Sequence, residues 1–328
     1  MIIRLVKRVK KIKLFDMING TLLSDASVRV WKNKYFYYSL NAKDRDFLKW
    51  VDKKFRKVKL STYIVLNNKI SKVFTLGFYI NARSRKELSS LRDIWYKEVN
   101  GKTTKVVPKG LKLSPTTLLF WYLGDGSLIR RKNDANRVPF IVLATNSFSE
   151  EDVDFLIQKL KELNLNFYRV RYKSGFTGKD CGYCLYSNTQ DGTPFRFFKI
   201  IGLECPKEIA NCSLGSKGIY KEEKFFKDKW PTEEDWIRIL SNVKEIGPIL
   251  RKKRLQLGLS QNQLARKVGI RRENIRDVEL GKRNFSVKNF RKILKALSLN
   301  VAYLLRELKI DNKNYYKSHC KEFSSTND

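Results

Sequence analysis

The sequence predicts an α+β protein made of tandem pseudo-symmetric αββαββα halves followed by a small all-α domain. Three observations carry this. Helix and strand periodicities run twice through the same order. Two apolar segments one hundred positions apart, Met17–Val28 and Thr117–Leu128, each end in a small residue, an aspartate and a small residue. Beyond Ile246 strand patterning stops and every periodic segment is helical.

In the first half an apolar helix over 14–24 leads into strands over 27–32 and 35–40. A helix over 44–55 places Phe47, Leu48, Val51 and Phe55 on one face. Strands over 62–66 and 73–80 follow, then a helix over 85–99 carrying Leu88, Leu91, Ile94 and Trp95. Residues 100–113, with Gly101, Pro108 and Gly110, read as a connector. Ser114-Pro115 supplies an N-cap and a first-turn proline for the next helix. Strands over 127–131 and 139–144, a helix over 150–163, strands over 166–172 and 183–186 and a short helix over 195–201 complete the second half. The echo of Asp46-Phe47-Leu48 in Asp154-Phe155-Leu156 extends the repeat beyond the aspartates. A mixed bridge follows, ending in a helix capped by Thr232 with Glu233, Glu234 and Asp235 in its first turn.

Charge narrows the function. Of 328 residues, 68 are Lys or Arg and 33 are Asp or Glu, a formal net charge of +35. The excess is shared, with 47 basic against 25 acidic residues before Lys244 and 21 against 8 from there on. Both parts therefore suit a polyanion, and nucleic acid is the expected partner. No long apolar run or amphipathic anchor suggests a membrane. The alternating apolar and basic start, Met1–Lys11, lacks the core of a secretory signal, and five cysteines are an odd number for a disulfide framework. The expected location is intracellular, in cytoplasm or nucleoid, an organelle included. Cys181 and Cys184 lie on a strand reading, where positions three apart face opposite sides, so they are read as unligated. The sole histidine, His319, stands in a polar tail, which argues against a histidine general base.

Each motif places a carboxylate at the C-terminal end of an apolar helix, among orphan backbone carbonyls. Two such ends brought together make a site for hard divalent cations against a polyanion. The pattern, with Leu123-Gly124-Asp125-Gly126-Ser127 as the close match and Ser24-Asp25-Ala26-Ser27 as the looser one, resembles the LAGLIDADG homing endonucleases in their single-chain, two-motif form. The resemblance covers residues 14–202. It implies two motif helices side by side and antiparallel, saddle-shaped sheets lying in the DNA major groove. It implies Asp25 and Asp125 as ligands of Mg2+ or Mn2+, lowering the pKa of a bound water, and a double-strand break as the product. Asn41 and Asn146 match the amide position that orients the water, and Lys105 matches the basic position of the first half. Lys207 is the candidate for the second. Arg29, Lys32, Lys34, Arg130, Arg131 and Lys132 are the strand residues placed to meet DNA. Gly20 fits the small-residue contact between motif helices, whereas its counterpart Phe120 predicts a looser or offset contact.

Residues 250–297 carry a second signal. Ser260 caps Gln261–Val268, Gly269 makes the turn, and Arg272–Leu280 follows and stops at Gly281. This resembles the Cro/C1-type helix-turn-helix. By resemblance Gln261 contacts phosphate, and Arg272, Glu273, Asn274 and Arg276 lie on the recognition helix. Leu264, Val268, Ile270, Ile275, Val278, Phe290, Ile293 and Leu294 form its expected core. The organisation is thus 1–98 first LAGLIDADG half, 99–204 connector and second half, 205–245 bridge, 246–310 helix-turn-helix domain, and 311–328 polar tail. The function expected is that of a monomeric, site-specific, metal-dependent DNA endonuclease of the homing type, acting on double-stranded DNA. Two alternatives share the charge and fold: a non-cleaving DNA-binding regulator, and an RNA maturase holding structured intron RNA.

Overall fold

A computed structural model describes residues 13–31, 35–58, 60, 62–68, 73–80, 90–131, 134–173, 180–216 and 223–310. The basic start, and the reading of residues 311–328 as a tail, lie outside these. The chain forms two compact units. One comprises Met1–Ile129, Ile141–Ser187 and Ile200–Trp230; the other comprises Arg130–Phe140, Asn188–Lys199 and Pro231–Asp328.

In the first unit helix α1 (13–22) precedes β1 (Ala26–Trp31), β2 (Tyr35–Ala42), α2 (Arg45–Lys57), β3 (Tyr63–Asn68) and β4 (Val73–Ile80). Asp44 caps α2 by accepting from the Asp46 and Phe47 amides. The strands form an antiparallel sheet in the order β1-β2-β4-β3. Val28, Tyr38, Leu40 and Leu76 fill the helix-side face, paired by register as Val28 with Tyr38 and Leu40 with Leu76.

Of the helix expected over 85–99, residues 85–89 lie outside the described residues, and the rest is only partly helical. Helix α3 spans Leu91–Trp95, and Tyr96–Val99 is strand β5, paired with β6 (Lys102–Lys105). Between them Asn100 and Gly101 both take positive φ, 50° and 72°. That is the backbone of an Asn-Gly hairpin, whose turn chemistry outweighs the apolar helical spacing.

The second half repeats the order. Helix α4 (Pro115–Asp125) leads to β7 (Gly126–Ile129), β8 (Phe140–Ala144), α5 (Glu150–Lys161), β9 (Phe167–Lys173), β10 (Asp180–Ser187) and α6 (Thr193–Ile201). The sheet runs β7-β8-β10-β9, the topology of the first half. Ser149 caps α5, as Asp44 caps α2. The chain after α6 then returns to the first half within this unit. The Ser213 amide donates to Asp44 Oδ2 at 2.6 Å, and Phe226 stacks on Phe47 with ring centroids 4.5 Å apart. Strands β11 (Ser213–Ser216) and β12 (Glu223–Phe225) lead into a 3-10 turn, Phe226–Lys229.

The second unit is mainly helical: α7 (Glu233–Leu240), α8 (Ile246–Gln256), α9 (Gln261–Val268), α10 (Arg272–Glu279), α11 (Val287–Ala296) and α12 (Val301–Ile310). Thr232 and Asp235 form a reciprocal capping box at α7, and Ser260 and Gln263 form another at α9. Gly269 closes α9 at φ 72°. The expected core is buried except for Ile270, which is half-buried at the turn. Below it, Arg254 grips Glu279 in a fork, Nε–Oε1 2.6 Å and Nη2–Oε2 2.9 Å, both side chains buried. Arg254 Nη1 also donates to the Leu259 carbonyl, so the pair ties α8 to the end of α10 and to the loop before α9.

Candidate active site and nucleic-acid interface

The site is built from the ends of α1 and α4. Both helices are apolar on most sides because both are buried: Met17, Ile18 and Leu22 in α1, and Leu118, Trp121, Tyr122 and Leu123 in α4. They touch where side chains are small. A methyl group on Gly20 would lie 2.5 Å from the Thr117 carbonyl oxygen and 2.7 Å from Phe120 Cβ, and one on Gly124 would collide with the Ser24 side chain. The looser contact expected from Phe120 is therefore absent. Its ring turns sideways onto Trp50, centroids 5.7 Å apart, leaving Gly20 to receive the α4 backbone.

This packing sets Asp25 and Asp125 side by side. Asp25 Oδ2 comes within 3.5 Å of the Cβ position of Gly124, the residue before Asp125. Burial first, and then the Asp25 charge, push Asp125 up to about 7, against the pull of Lys105 and Lys229. Asp25 keeps much of its surface in solvent, yet partial burial still raises it, opposed by Lys229 and then Lys105.

Each helix end is closed by one ammonium. Lys105 Nζ donates to the Ser24 and Ala26 carbonyls, both at 3.0 Å. Lys229 Nζ donates to Leu123 O at 2.6 Å, Gly124 O at 3.0 Å and Tyr122 O at 3.3 Å. Burial lowers Lys105 to about 8, even though both carboxylates act to raise it. Lys207, the sequence candidate for the second half, is exposed on a turn, and Lys229 takes that position. Equal spacing could not have found it: Ser24 and Lys105 are 81 positions apart, Gly124 and Lys229 are 105. The longer return of the second half accounts for the difference. The nearest sequence signal is the aromatic Trp230 beside it, which packs edge-on to Tyr122 at 5.5 Å.

The two asparagines occupy matching places, three residues before the caps Asp44 and Ser149. Asn41 stands on β2, one residue beyond the Ala26–Leu40 pair that follows Asp25, and accepts from Thr75 Oγ1 at 2.7 Å. Asn146 lies in the exposed turn after β8, its carbonyl against Gly182, whose φ of 82° marks the irregular register of β10. The structure thus gathers Asp25, Asp125, Lys105 and Lys229, with Asn41 beside the first strand.

The basic strand residues divide. Arg29 is exposed on β1, while Lys32, Lys34 and Lys132 lie outside the described residues. Arg130 is directed inward: its Nε donates at 2.7 Å to Oδ2 of fully buried Asp235, which also receives Arg238 and Thr232. Arg131 stands over the Phe140 ring, 5.9 Å from its centroid. In the helical unit Arg272, Glu273 and Arg276 are exposed on α10, and Arg276 pairs with Asp277 at 2.9 Å. Asn274 accepts from Arg283 at 3.0 Å, and Gln261 donates to Glu279 at 2.9 Å.

Among the described residues no group of three or more His, Cys, Asp or Glu is placed to hold a metal. The donors offered are two carboxylates and backbone carbonyls. All are hard oxygens, and burial, aided at Asp125 by the Asp25 charge, already disfavours their ionised forms, so the residues fit a hydrated Mg2+ or Mn2+. No described helix is long and apolar enough to cross a membrane.

Tandem αββαββα halves whose motif helices end in paired aspartates, followed by a helix-turn-helix bundle, define the class of fold. The sequence profile of the LAGLIDADG DNA endonuclease family matches residues 15–195, more than half of the chain, and a helix-turn-helix profile matches residues 250–304. The chain belongs to the LAGLIDADG DNA endonuclease family. A curated relative, an uncharacterized protein of Methanocaldococcus jannaschii, is 32% identical over 164 residues, covering 49% of this chain and 60% of the relative. The chain therefore spans about 60% of the length of the curated relative that it matches. Among solved structures, the homing endonuclease I-WcaI bound to its DNA recognition sequence superposes with a TM-score of 0.42 at 18% identity, over 58% of this chain and 80% of that one. The N-terminal LAGLIDADG domain of DUF199/WhiA gives 0.37 at 11% identity, over 58% and 83%. I-DmoI in complex with DNA and Mn gives 0.37 at 13% identity, over 58% and 97%.

Proposed function

We propose that this protein is a site-specific, divalent-metal-dependent endonuclease of the homing type that breaks both strands of duplex DNA. The observation that carries the reading is the meeting of Asp25 and Asp125 at two touching helix ends, each end closed by a lysine. Burial first, and then the neighbouring Asp25 charge, push Asp125 up to about 7, which is costly for a fold, and a cation between the carboxylates relieves that cost.

Asp25 and Asp125, with backbone carbonyls of the same helix ends, would hold Mg2+ or Mn2+. A divalent cation there supplies Lewis acidity to the scissile phosphate and acidifies the attacking water. The residues of the chain do the rest. Lys105 and Lys229 place positive charge beside both carboxylates, where phosphate charge builds in the transition state. Asn41 and Asn146 offer amides that orient water. Arg29, Lys32, Lys34, Arg131 and Lys132 remain the proposed strand contacts, while Arg130 is taken inward by Asp235. In the helical unit Arg272, Glu273, Asn274 and Arg276 would meet base edges and Gln261 a phosphate. One copy of each half in the chain makes a monomer acting on an asymmetric site.

Purified protein is incubated with a randomised duplex library and Mg2+, and new ends are sequenced, with Asp25→Asn, Asp125→Asn and Lys229→Met in parallel. Discrete paired breaks that vanish in both aspartate variants are expected. Lys229→Met should slow cleavage by about a hundred-fold, the cost of one electrostatic donor, while binding persists. Enrichment of bound DNA without breaks, unchanged by the aspartate substitutions, would make the protein a non-cleaving regulator instead. Retention of structured RNA in place of duplex DNA would favour the maturase.

A further inference from the structure

The two halves align residue by residue through their sheets. Leu40 pairs with Leu76 in the first sheet and Leu143 with Leu185 in the second, all buried on the helix side. One step along, the cross-strand partners face the other way. There the first sheet crosses Asn41, Thr75 and Val65, and the second crosses Ala144, Cys184 and Val170. A valine ends both rows, so Ala144 and Cys184 hold the places of Asn41 and Thr75.

These two places differ chemically. Thr75 is buried, and its hydroxyl donates to the Asn41 side-chain carbonyl oxygen at 2.7 Å. Asn41 itself is exposed, so the buried hydroxyl fixes the amide plane and leaves the amide nitrogen as the outward donor. In the second half a methyl and a thiol stand instead, and a thiol is a weak donor. Burial first, with the Asp125 charge adding to it, pushes the Cys184 thiol up, which sets that thiol near the second carboxylate. Asn146 offers its amide two residues beyond Ala144, from an exposed turn rather than from the strand.

Resting on the endonuclease reading above, we propose that Asn41, pinned by Thr75, positions the water that attacks one DNA strand, and that the second half holds its water without a matching donor. Thr75 is then a positioning residue that acts through Asn41. In hydrolysis the water oxygen bonds to phosphorus, the bond to one sugar oxygen breaks, and a water proton ends on that sugar oxygen. A hydrogen bond from a fixed amide confines the water oxygen to the line of attack. Losing one neutral hydrogen bond is worth about ten-fold in rate. The strand attacked beside Asn41 is therefore cut first, and the duplex passes through a nick before it breaks.

The site recovered from the randomised library is placed in a supercoiled plasmid and in a duplex with a different label on each strand, and both are followed in Mg2+. Open circles should accumulate before linear plasmid, with one labelled strand cut about ten-fold faster than the other. Asn41→Ala and Thr75→Val should slow that strand alone by about ten-fold, and Thr75→Ser, which keeps the hydroxyl, should restore it. Ala144→Asn combined with Cys184→Thr should quicken the slower strand alone. Crystals of the complex with duplex and Ca2+ should show an ordered water on the Asn41 amide nitrogen and none beside Ala144. Equal strand rates in the wild type, an Asn41→Ala variant that slows both strands alike, or a water held equally in both halves overturns the proposal and leaves the endonuclease reading standing. A library and plasmid that are never cut remove the endonuclease reading, and this inference falls with it.

Discussion

Asp125→Asn should stabilise the metal-free protein. The Asp125 carboxyl titrates at about 7 against an ordinary value of 3.8, chiefly because burial and then Asp25 oppose its charge. At ~1.36 kcal/mol per pH unit, that interval is worth on the order of 4 kcal/mol. The sign follows from the raised value. The folded state favours the protonated carboxyl, so there is no penalty below pH 3.8; it grows as pH rises towards 7 and is constant above that. An asparagine of the same shape carries no such charge. Urea unfolding in EDTA between pH 5 and 8.5 should therefore show the wild type losing stability relative to Asp125→Asn as pH rises. Above pH 7 the gap should reach about 4 kcal/mol. Mg2+ should narrow it by stabilising only the wild type. Equal stability at every pH, or a variant less stable than wild type above pH 7, would refute the claim that the carboxylate pair strains the fold.

Two further outcomes test the packing. Gly20→Val should cost about 1–3 kcal/mol in urea unfolding and lower Mg2+-dependent cleavage, because its side chain meets the Thr117 carbonyl and Phe120. Glu279→Gln should cost roughly 3–5 kcal/mol in the helical unit, since it leaves the buried Arg254 guanidinium without its counter-charge. A loss of helical signal at lower temperature by circular dichroism checks the second; an unchanged melting curve would show the pair contributes little.

Much of the fold was legible because its determinants are local. The repeated order of elements, the caps Ser114, Thr232 and Ser260, and the turn at Gly269 each depend on residues within one or two turns of chain. The Asn100-Gly101 hairpin was equally local, and a helical spacing of apolar residues concealed it. The paired aspartates were legible too, since a carboxylate at the end of an apolar helix, twice, has few other uses.

By itself, the sequence determined the duplicated architecture, the run of C-terminal helices, the basic charge and the two aspartates at apolar helix ends, while Lys105 was legible only through the family resemblance. Tertiary structure alone decided which cation closes the second helix end and which basic strand residue turns inward. Lys229 reaches Gly124 across 105 positions, and Asp235 takes Arg130 from the same distance along the chain. Periodicity and capping act through hydrogen bonds a few residues long. A buried charge takes whichever partner the folded chain brings within about 3 Å, because desolvation makes any other arrangement costly.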